Sequence, residues 1–365
     1  MTEDIHDRSG GERSIDDMFT DMSKPRGDEG EVVVRERPAP LAGAVSAYLI
    51  GMADQRRDLV NPVRSQTAAA IDADQLDEVA AAMEALLIHP VPDPDADSLA
   101  KELITTPVEG RLVSRLGSEK DEGRRDALIR ALATLGVSMA RTISSSLANT
   151  DDRHARRSYV RTLVAMGHDG MTAVEEMMGD PRWFVVRNGV TVLGEVGGDT
   201  AVGFLTSTLA HEDPRVRRET VISLARIGGE DAGMLALGML EDADADVRAG
   251  ASRAVGVLKV ERAVKPLLAL LESEEESAVV EQVLRSLGQL RDPGAVSAIE
   301  KRAVGRFLRK PPTDVRVAAY AALGAIGTPH ALKVVEEARE DKDASVRSVV
   351  SALLASRRAT VGQTS

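Results

Sequence analysis

The chain has 365 residues and a formal net charge of −12, with 46 Lys and Arg against 58 Asp and Glu. An acidic chain of this kind is not expected to bind nucleic acid or an anionic membrane over its general surface. It has no cysteine, which excludes a disulfide framework, thiol catalysis and thiolate metal sites and favours a reducing cytosol. No stretch approaches the roughly 20 apolar residues of a membrane span, and we expect a soluble, cytoplasmic protein.

Residues 1–39 form an acidic arm that we expect to be disordered. Its eleven acids, six bases and few large apolar residues cannot offset the entropy of ordering. Within the arm, Ser14 can cap a short apolar pattern at helical spacing, formed by Ile15, Met18, Phe19 and Met22. Two interpretations stay open: this segment folds in a partner's groove, or it belongs to a solvated tail.

Residues 40–96 are predicted to form a helical N-terminal unit and most of a linker. Apolar spacing predicts one helix over 41–59 and a second over 63–87, which Asp72 or Asp74 can interrupt. The stretch 89–98 is rich in proline, which lacks the backbone donor that a helix needs and restricts the residue before it. We therefore predict that this stretch links the N-terminal unit to the rest of the chain.

A period of about 31 residues organises the chain from residue 121 onward. In each unit an acidic turn is followed by Val-Arg or a close equivalent, and then by a helix of small residues. The intervals between equivalent positions are 31, 30, 31, 31, 32, 36 and 31, and the positions are Arg125, Arg156, Val186, Arg217, Arg248, Val280, Arg316 and Arg347. Helix pairs that cannot bury their apolar faces alone, and therefore stack, are typical of such a period.

The units carry an Asp-x-x-Val-Arg opening, as at 213–217 and 343–347, and a Leu-Gly-x-x-Gly ending, as at 323–327. These motifs resemble HEAT repeats, specifically the subtype named after phycobilisome lyases. The resemblance implies an all-α α-solenoid of about eight helical hairpins over 97–358, followed by a disordered tail over 359–365. The excess of arginine over lysine also resembles haloarchaeal proteins. The repeat serves lyases, hydroxylases, adaptors and scaffolds alike, so it indicates fold more than function.

Two places depart from the repeat pattern. Val280 stands where an arginine is expected, and the following interval grows to 36 residues through the basic stretch 301–312. Insertions in repeat proteins tend to lie on one face, often the face that binds. We expect a kink or a binding feature between the sixth and seventh units.

Arginine forms two columns along the repeats. The first is a structural ladder, and the resemblance implies that its members pair with first-turn aspartates of the neighbouring unit, such as Asp213, Asp246, Asp314 and Asp343; the ladder arginines are Arg125, Arg156, Arg217, Arg248, Arg316 and Arg347. The second column lies one position further on, in units two to four, and consists of Arg157, Arg187 and Arg218.

Further basic residues and the single tryptophan lie in phase with the second column: Arg153, His154, Arg182, Trp183 and Arg215. Tryptophan and arginine are enriched among the residues that dominate protein interfaces. These eight residues are our candidate partner-binding patch. The competing interpretation is a solvated arginine-rich turn with a half-buried tryptophan.

The chain lacks the motifs of common catalytic and metal sites. A diiron hydroxylase built from this repeat uses several His-Glu pairs, whereas this chain has one, at His211 and Glu212. The aspartates at 242, 244 and 246 resemble the start of a calcium loop, but Val247 replaces the central glycine and Arg253 the bidentate glutamate. No phosphate loop, nucleophile elbow or zinc motif is present. We predict no metal, no cofactor and no catalytic residue.

These observations favour a non-enzymatic scaffold or adaptor that binds another protein along the solenoid face. Because haloarchaeal proteins of this repeat subtype include adaptors encoded beside taxis proteins, a signalling or taxis complex is the narrower expectation. Two alternatives stay open. One is a chromophore-binding accessory protein similar to the bilin lyases, with His154, Trp183 and Arg187 in its pocket. The other is a nucleic-acid-binding protein that uses the second arginine column.

Overall fold

The computed structural model describes residues 40–88, 93–305 and 310–362, with side chains up to 356. Within these ranges the chain forms twenty α-helices joined by turns, and no β-strand. The predicted all-α solenoid is therefore confirmed. The predicted acidic arm, with its apolar pattern at 15–22, lies outside the described residues.

Five helices precede the regular repeats: α1 (Pro40–Ile50), α2 (Ala53–Asp72), α3 (Leu76–Leu87), α4 (Pro94–Leu103) and α5 (Thr106–Ser118). The single helix predicted over 41–59 is wrong, because the chain turns at Gly51 and begins α2 at Ala53. The break near Asp72 is confirmed, since α2 ends there and Asp74 has a φ of 58°.

The linker predicted over 89–98 is wrong beyond its first residues. Residues 89–92 lie outside the described ranges, and α4 already begins at Pro94. The carboxylate of Asp93 accepts a hydrogen bond from the amide of Ala96 at 3.1 Å and caps this helix. Proline fits the first turn of a helix, where its missing donor is not needed.

From residue 122 the helices alternate between two layers. The A helices, which carry the repeated arginine position, are α6 (Glu122–Leu132), α8 (Arg153–Ala165), α10 (Trp183–Val196), α12 (Pro214–Ile227), α14 (Ala245–Val257), α16 (Ser277–Leu290), α18 (Thr313–Ile326) and α20 (Ala344–Gly362). The B helices are α7 (Gly136–Asn149), α9 (His168–Met178), α11 (Gly198–Thr208), α13 (Gly229–Gly238), α15 (Val264–Ser273), α17 (Val296–Val304) and α19 (Pro329–Glu337). Seven units are thus helix pairs, and the eighth is α20.

The predicted disordered tail at 359–365 needs a correction at its start. The α20 helix continues to Gly362, four residues past the predicted end of the solenoid at 358. No glycine or proline interrupts the chain between Ala344 and Val361, so nothing in the sequence stops the helix earlier.

Aspartate caps start many of the A helices. The carboxylates of Asp152, Asp213 and Asp244 each accept a hydrogen bond from a backbone amide in the first turn of the following helix. Glycines with positive φ follow the last residues of α10 and α18, with φ of 72° at both Gly197 and Gly327. The acidic turns and the second glycine of the Leu-Gly-x-x-Gly motif therefore act as helix start and stop signals.

The first glycine of the Leu-Gly-x-x-Gly motif allows neighbouring helices to pack closely. From α10 to α20 each A helix packs directly on the next one. A Cβ added at Gly288 would lie 2.9 Å from the Cα of Ala322 on the neighbouring A helix. Across the same kind of contact, the Ser286 hydroxyl donates to the carbonyl of Ser252 at 2.7 Å. Small residues thus bring successive A helices close enough for hydrogen bonds between them.

The apolar core runs through the stack without a gap between the N-terminal helices and the repeats. Buried side chains from Leu41 to Ala232 form one cluster, and those from Val221 to Val350 form a second. Each B helix from α9 onward packs on at least one neighbouring A helix. In the part of the chain that the structure describes, no helix has both the length and the apolar character of a membrane span.

Candidate functional site

The arginine ladder holds neighbouring units together. Arg217 on α12 binds Asp242 through bonds of 2.7 Å from Nε and 2.8 Å from Nη2, and its Nη1 donates to the carbonyl of His211 at 2.9 Å. Arg248 repeats the arrangement one unit later, with a 2.8 Å bond to Glu274. Arg316 pairs with Asp341 and is only 4% exposed. Each pair joins an A helix to the turn that precedes the next A helix.

The carboxylates of this ladder are not the predicted ones. The partners are Asp242, Glu274 and Asp341, hereafter the ladder carboxylates, which lie before the next A helix rather than within its first turn. Of the aspartates that were expected, Asp213 and Asp343 accept backbone amide hydrogen bonds from Arg215 and Ser345. They are helix caps, because their carboxylates accept first-turn amides that have no acceptor within the helix.

Of the remaining ladder arginines, two bind carbonyls and one, Arg125, does not, while valine stands at the other two positions. Arg156 and Arg347 donate to the carbonyls of Thr150 and Asp341, at 2.8 and 2.6 Å. Arg125 forms no ion pair or hydrogen bond through its side chain within the described ranges. Where Val280 replaces the arginine, Arg302 on α17 donates to the carbonyls of Leu271 and Glu274. A guanidinium from the B layer thus binds the carbonyl of Glu274, which lies six residues before Val280, where a ladder arginine would bind.

Burial and pairing act on the ladder carboxylates in opposite directions. Burial raises the pKa of Asp242, but the hydrogen bonds from Arg217 and from the backbone of Asp244 outweigh it and hold that pKa below its usual range. The pKa of Glu274 is lowered in the same way by Arg248. The ladder carboxylates are therefore charged at neutral pH and neutralise the arginines beside them. This column is structural.

The candidate patch separates into distinct parts. Four of its eight residues meet in an arginine–aromatic cluster, which consists of Arg182, Trp183, Phe184, Arg187 and Arg215. The guanidinium carbon of Arg215 lies 3.4 Å from the centre of the half-buried Trp183 ring, and that of Arg187 lies 5.8 Å from it. Trp183 and Phe184 meet edge to face at 5.9 Å. Cation–π contact therefore joins α10 to α12.

Two cations of the cluster are already neutralised. Arg182 binds Asp180 at 2.7 Å and lowers the pKa of that carboxyl to about 2, and Arg215 binds Asp213 at 2.6 Å and also lowers its pKa. Because Arg215 lies against one face of Trp183, that face is not open to a planar chromophore. His154, the third residue of the predicted bilin pocket, forms no hydrogen bond, ion pair or ring contact with the cluster in the described ranges.

The arginines of the second column are not neutralised by a carboxylate in the described ranges. Arg157 and Arg218 are exposed and form neither an ion pair nor a side-chain hydrogen bond with the described parts of the chain. Arg187 has no carboxylate partner there; its Nη2 lies 3.4 Å from the Asn188 side-chain oxygen, and its buried Nε has no acceptor. Arg153 is exposed and is likewise unpaired in those ranges. Free positive charge thus follows the exposed side of the A helices.

Arg218 lines a groove that was not predicted from the sequence. The groove has a volume of about 460 Å³ and crosses α12, α14 and α16; we call it the A-helix groove, and its lining residues include Arg218, Ile222, Arg226, Asp246, Ala249, Gly250, Arg253 and Val257. Ile222 is 38% exposed and Val257 is 52% exposed. An apolar residue on an amphipathic helix is normally assigned to the core, so only the three-dimensional packing exposes this surface.

The described residues bring together no metal site. No three His, Asp or Glu side chains in those ranges converge as a metal ion requires. The Nδ1 of His211 accepts the amide of Asp213 at 3.0 Å, within a turn. In the turn that resembled a calcium loop, Asp242 binds Arg217 and Asp244 caps α14, so its carboxylates serve the ladder and the helix start.

The basic insertion at 301–312 is only partly described, because residues 306–309 lie outside the described ranges. At its ends, Arg302 binds the carbonyls named above, and Lys310 lies 3.5 Å from Asp341. Both contacts hold the insertion against neighbouring units. Its role in binding stays a prediction.

Comparison with known proteins agrees with this architecture. Residues 171–236 and 234–306 match the family model described as HEAT repeats. The crystal structure of the karyopherin Kap121p bound to the extreme C-terminus of the protein phosphatase Cdc14p is similar, with a TM-score of 0.50 and 11% identity over 86% of this chain and 39% of that chain. A crystal structure of Kap121p bound to Nup53p gives 0.49 and 12% over the same shares.

An engineered protein also aligns, with a TM-score of 0.39 and 17% identity over 86% of this chain and 98% of that one. No curated protein matches the sequence. This chain spans well under half the length of the karyopherin chains, and the low identity shows the fold alone. The HEAT-type solenoid is supported, whereas the phycobilisome-lyase subtype and a haloarchaeal origin stay predictions.

Proposed function

We propose that this chain is a non-enzymatic, cytoplasmic scaffold that binds another protein along the exposed face of its A helices. The observation that carries the proposal is the A-helix groove. There, exposed Ile222 and Val257 lie beside Arg218 and Arg253, and neither arginine pairs with another group in the described ranges. A groove that combines apolar contact area with free cations suits a protein partner, because interfaces join an apolar centre to a polar rim.

Two further features support a scaffold. The ladder and the closely packed glycines fix the A helices before any partner arrives, so little freedom is lost on binding. The karyopherin Kap121p, which has a similar fold, is described as bound to the extreme C-terminus of the protein phosphatase Cdc14p. A rigid stack of helices that holds another protein is thus a use to which this fold is suited.

Site-specific photocrosslinking tests the proposal. A photoreactive amino acid is placed at Ala249, in the A-helix groove, and in a second variant at Gly203 on α11, which is exposed and has no neighbour within 4 Å. After irradiation in native cells, we expect a defined protein adduct from position 249 and none from position 203. Adducts only from position 203 would place the partner on the B layer and refute the proposal.

Within this role we propose more narrowly that the partner belongs to a signalling or taxis complex. The support is the predicted subtype together with the acidic, arginine-rich composition. Mass spectrometry of the adduct from position 249 checks this narrower proposal. Recovery of a partner from an unrelated process would refute it and leave the scaffold role intact.

A nucleic-acid-binding function is the second candidate, because Arg157, Arg187 and Arg218 have no carboxylate partner in the described ranges. It predicts affinity for DNA that falls steeply as salt rises. A gel-shift titration at low salt is the test, and we expect no retardation. The body that surrounds the column carries a net negative charge, which opposes the phosphate backbone.

A further inference from the structure

The A-helix groove has a floor of small residues between charged rims. Ala249, Gly250 and Ala254 line it from the central helix, α14. A Cβ added at Gly250 would meet only Val221, at an ordinary distance of 3.7 Å. The glycine is therefore not required by close packing, unlike Gly288, and its missing side chain leaves space above α14. This space is open to a partner's side chains.

The rims of the groove are positive on balance. Arg218, Arg226 and Arg253 line it with one carboxylate, that of Asp246. Arg226 is 3.3 Å from Glu195, whereas Arg218 and Arg253 bind no group in the described ranges. The chain as a whole carries a charge of −12, so an acidic partner is repelled by most of the surface and attracted here.

The width of the groove sets the length of a segment that can cross it. Packed helices lie about 8–10 Å apart, so a partner that crosses from α12 to α16 spans about 16–20 Å. An extended chain covers the distance with about six residues and directs alternate side chains to opposite sides.

We propose that the A-helix groove binds an extended acidic segment of the partner protein. An apolar side chain of the segment packs on Ile222 and Val257, and carboxylates on either side of it pair with Arg218 and Arg253. This inference rests on the proposed scaffold function and adds the chemistry of what is bound. It assigns a role to Arg218, which belongs to the predicted patch, and to Arg253, which does not.

Fluorescence anisotropy with the full chain is the test. The probe is a fluorescein-labelled peptide of about eight residues in which aspartate and leucine alternate, long enough to cross the groove. Arg218→Glu and Arg253→Glu are each expected to weaken binding about tenfold, because each removes a hydrogen bond between charged groups. Gly250→Leu fills the floor and is expected to weaken binding by a similar factor.

Two matched variants keep the result specific. Arg57→Glu makes the same charge change at an exposed arginine of α2, and Gly203→Leu makes the same glycine substitution on the B layer. Both are expected to bind the peptide as the parent chain does. Circular dichroism checks that every variant is folded. Equal weakening by Arg57→Glu would reduce the effect to overall charge and overturn the inference.

Two comparison probes separate the alternatives. A peptide with lysine in place of aspartate and a single-stranded DNA of similar length are titrated in parallel, and both are expected to bind at least tenfold more weakly. Equal or tighter binding of either probe would overturn the acidic-segment inference. If the acidic peptide does not bind while position 249 still crosslinks a protein, the inference fails and the scaffold function stands.

Discussion

Removal of Asp242 tests whether the arginine ladder holds the units together. The Asp242 carboxylate is 6% exposed and accepts two bonds from Arg217, whose side chain is 14% exposed. It also accepts the amide of Asp244 at 2.8 Å. Loss of one partner from a buried ion pair costs about 3–5 kcal/mol. Arg217 keeps its bonds to the carbonyls of His211 and Glu212, so we expect Asp242→Ala to cost about 3 kcal/mol, near the lower limit.

Hydrogen exchange of the native protein, supported by urea unfolding, measures this loss. Stacked repeats need not unfold as one two-state unit, so a single midpoint can hide a local effect. Exchange resolves the opening of individual helices. We expect amides of α12, α13 and α14 to lose protection, and those of α2 and α3 to keep it.

An exposed ion pair supplies the control. Arg141 and Glu176 form bonds as short as 2.6 Å, but their side chains are 56% and 49% exposed. Glu176→Ala is therefore expected to change stability far less than Asp242→Ala, because water already solvates both charges. Equal losses in the two variants would refute the reasoning that burial makes the ladder important. The paired change of Arg217 and Asp242 to leucine is expected to recover only part of the loss, because the carbonyls of His211 and Glu212 lose their donor.

Three further predictions follow from the packing. Because pairing lowers the pKa of the ladder carboxylates, these groups stabilise the fold at pH values above their unfolded pKa, near 4. This stabilisation is lost as pH falls through their lower folded pKa values, and urea midpoints from pH 7 to pH 2 check this. Gly288→Val is expected to cost about 1–3 kcal/mol in urea unfolding, because its Cβ meets the Ala322 backbone, whereas Gly203→Val is expected to cost much less. Arg302→Met is expected to cost about 1–3 kcal/mol, because the carbonyl of Glu274 loses its donor, and thermal unfolding checks it.

The repeat architecture could be predicted from the sequence because short local motifs start and end each helix. Acidic turns cap helices, and glycines in phase end them or allow close packing, whatever lies further along the chain. The N-terminal helices have no such phase, and there the prediction joined two helices across Gly51 and extended a linker past Pro94. Proline occurs both in the first turn of a helix and in linkers, so a proline by itself does not distinguish the two.

The ladder partners show a limit of another kind. Asp242, Asp244 and Asp246 follow each other at alternate positions, and each is a plausible partner for an arginine on the preceding A helix. In the folded protein Asp242 pairs with Arg217, and Asp244 caps the start of α14. Sequence phase locates the turn but does not tell which carboxylate points inward. The A-helix groove was missed for a related reason, since exposure of Ile222 depends on the spacing of three helices.

Adjacent arginines of one helix explain how an acidic protein can present a positive surface. Successive residues of an α-helix are rotated by about 100°, so Arg217 and Arg218 leave α12 in different directions. Arg217 points to the turn before α14 and is neutralised by Asp242, whereas Arg218 points to the exposed side and binds nothing in the described ranges. Because the ladder carboxylates are already occupied by the inner arginines, they do not neutralise the outer ones. The free charge of Arg218, which we assign to partner binding, is therefore a consequence of how the repeats are held together.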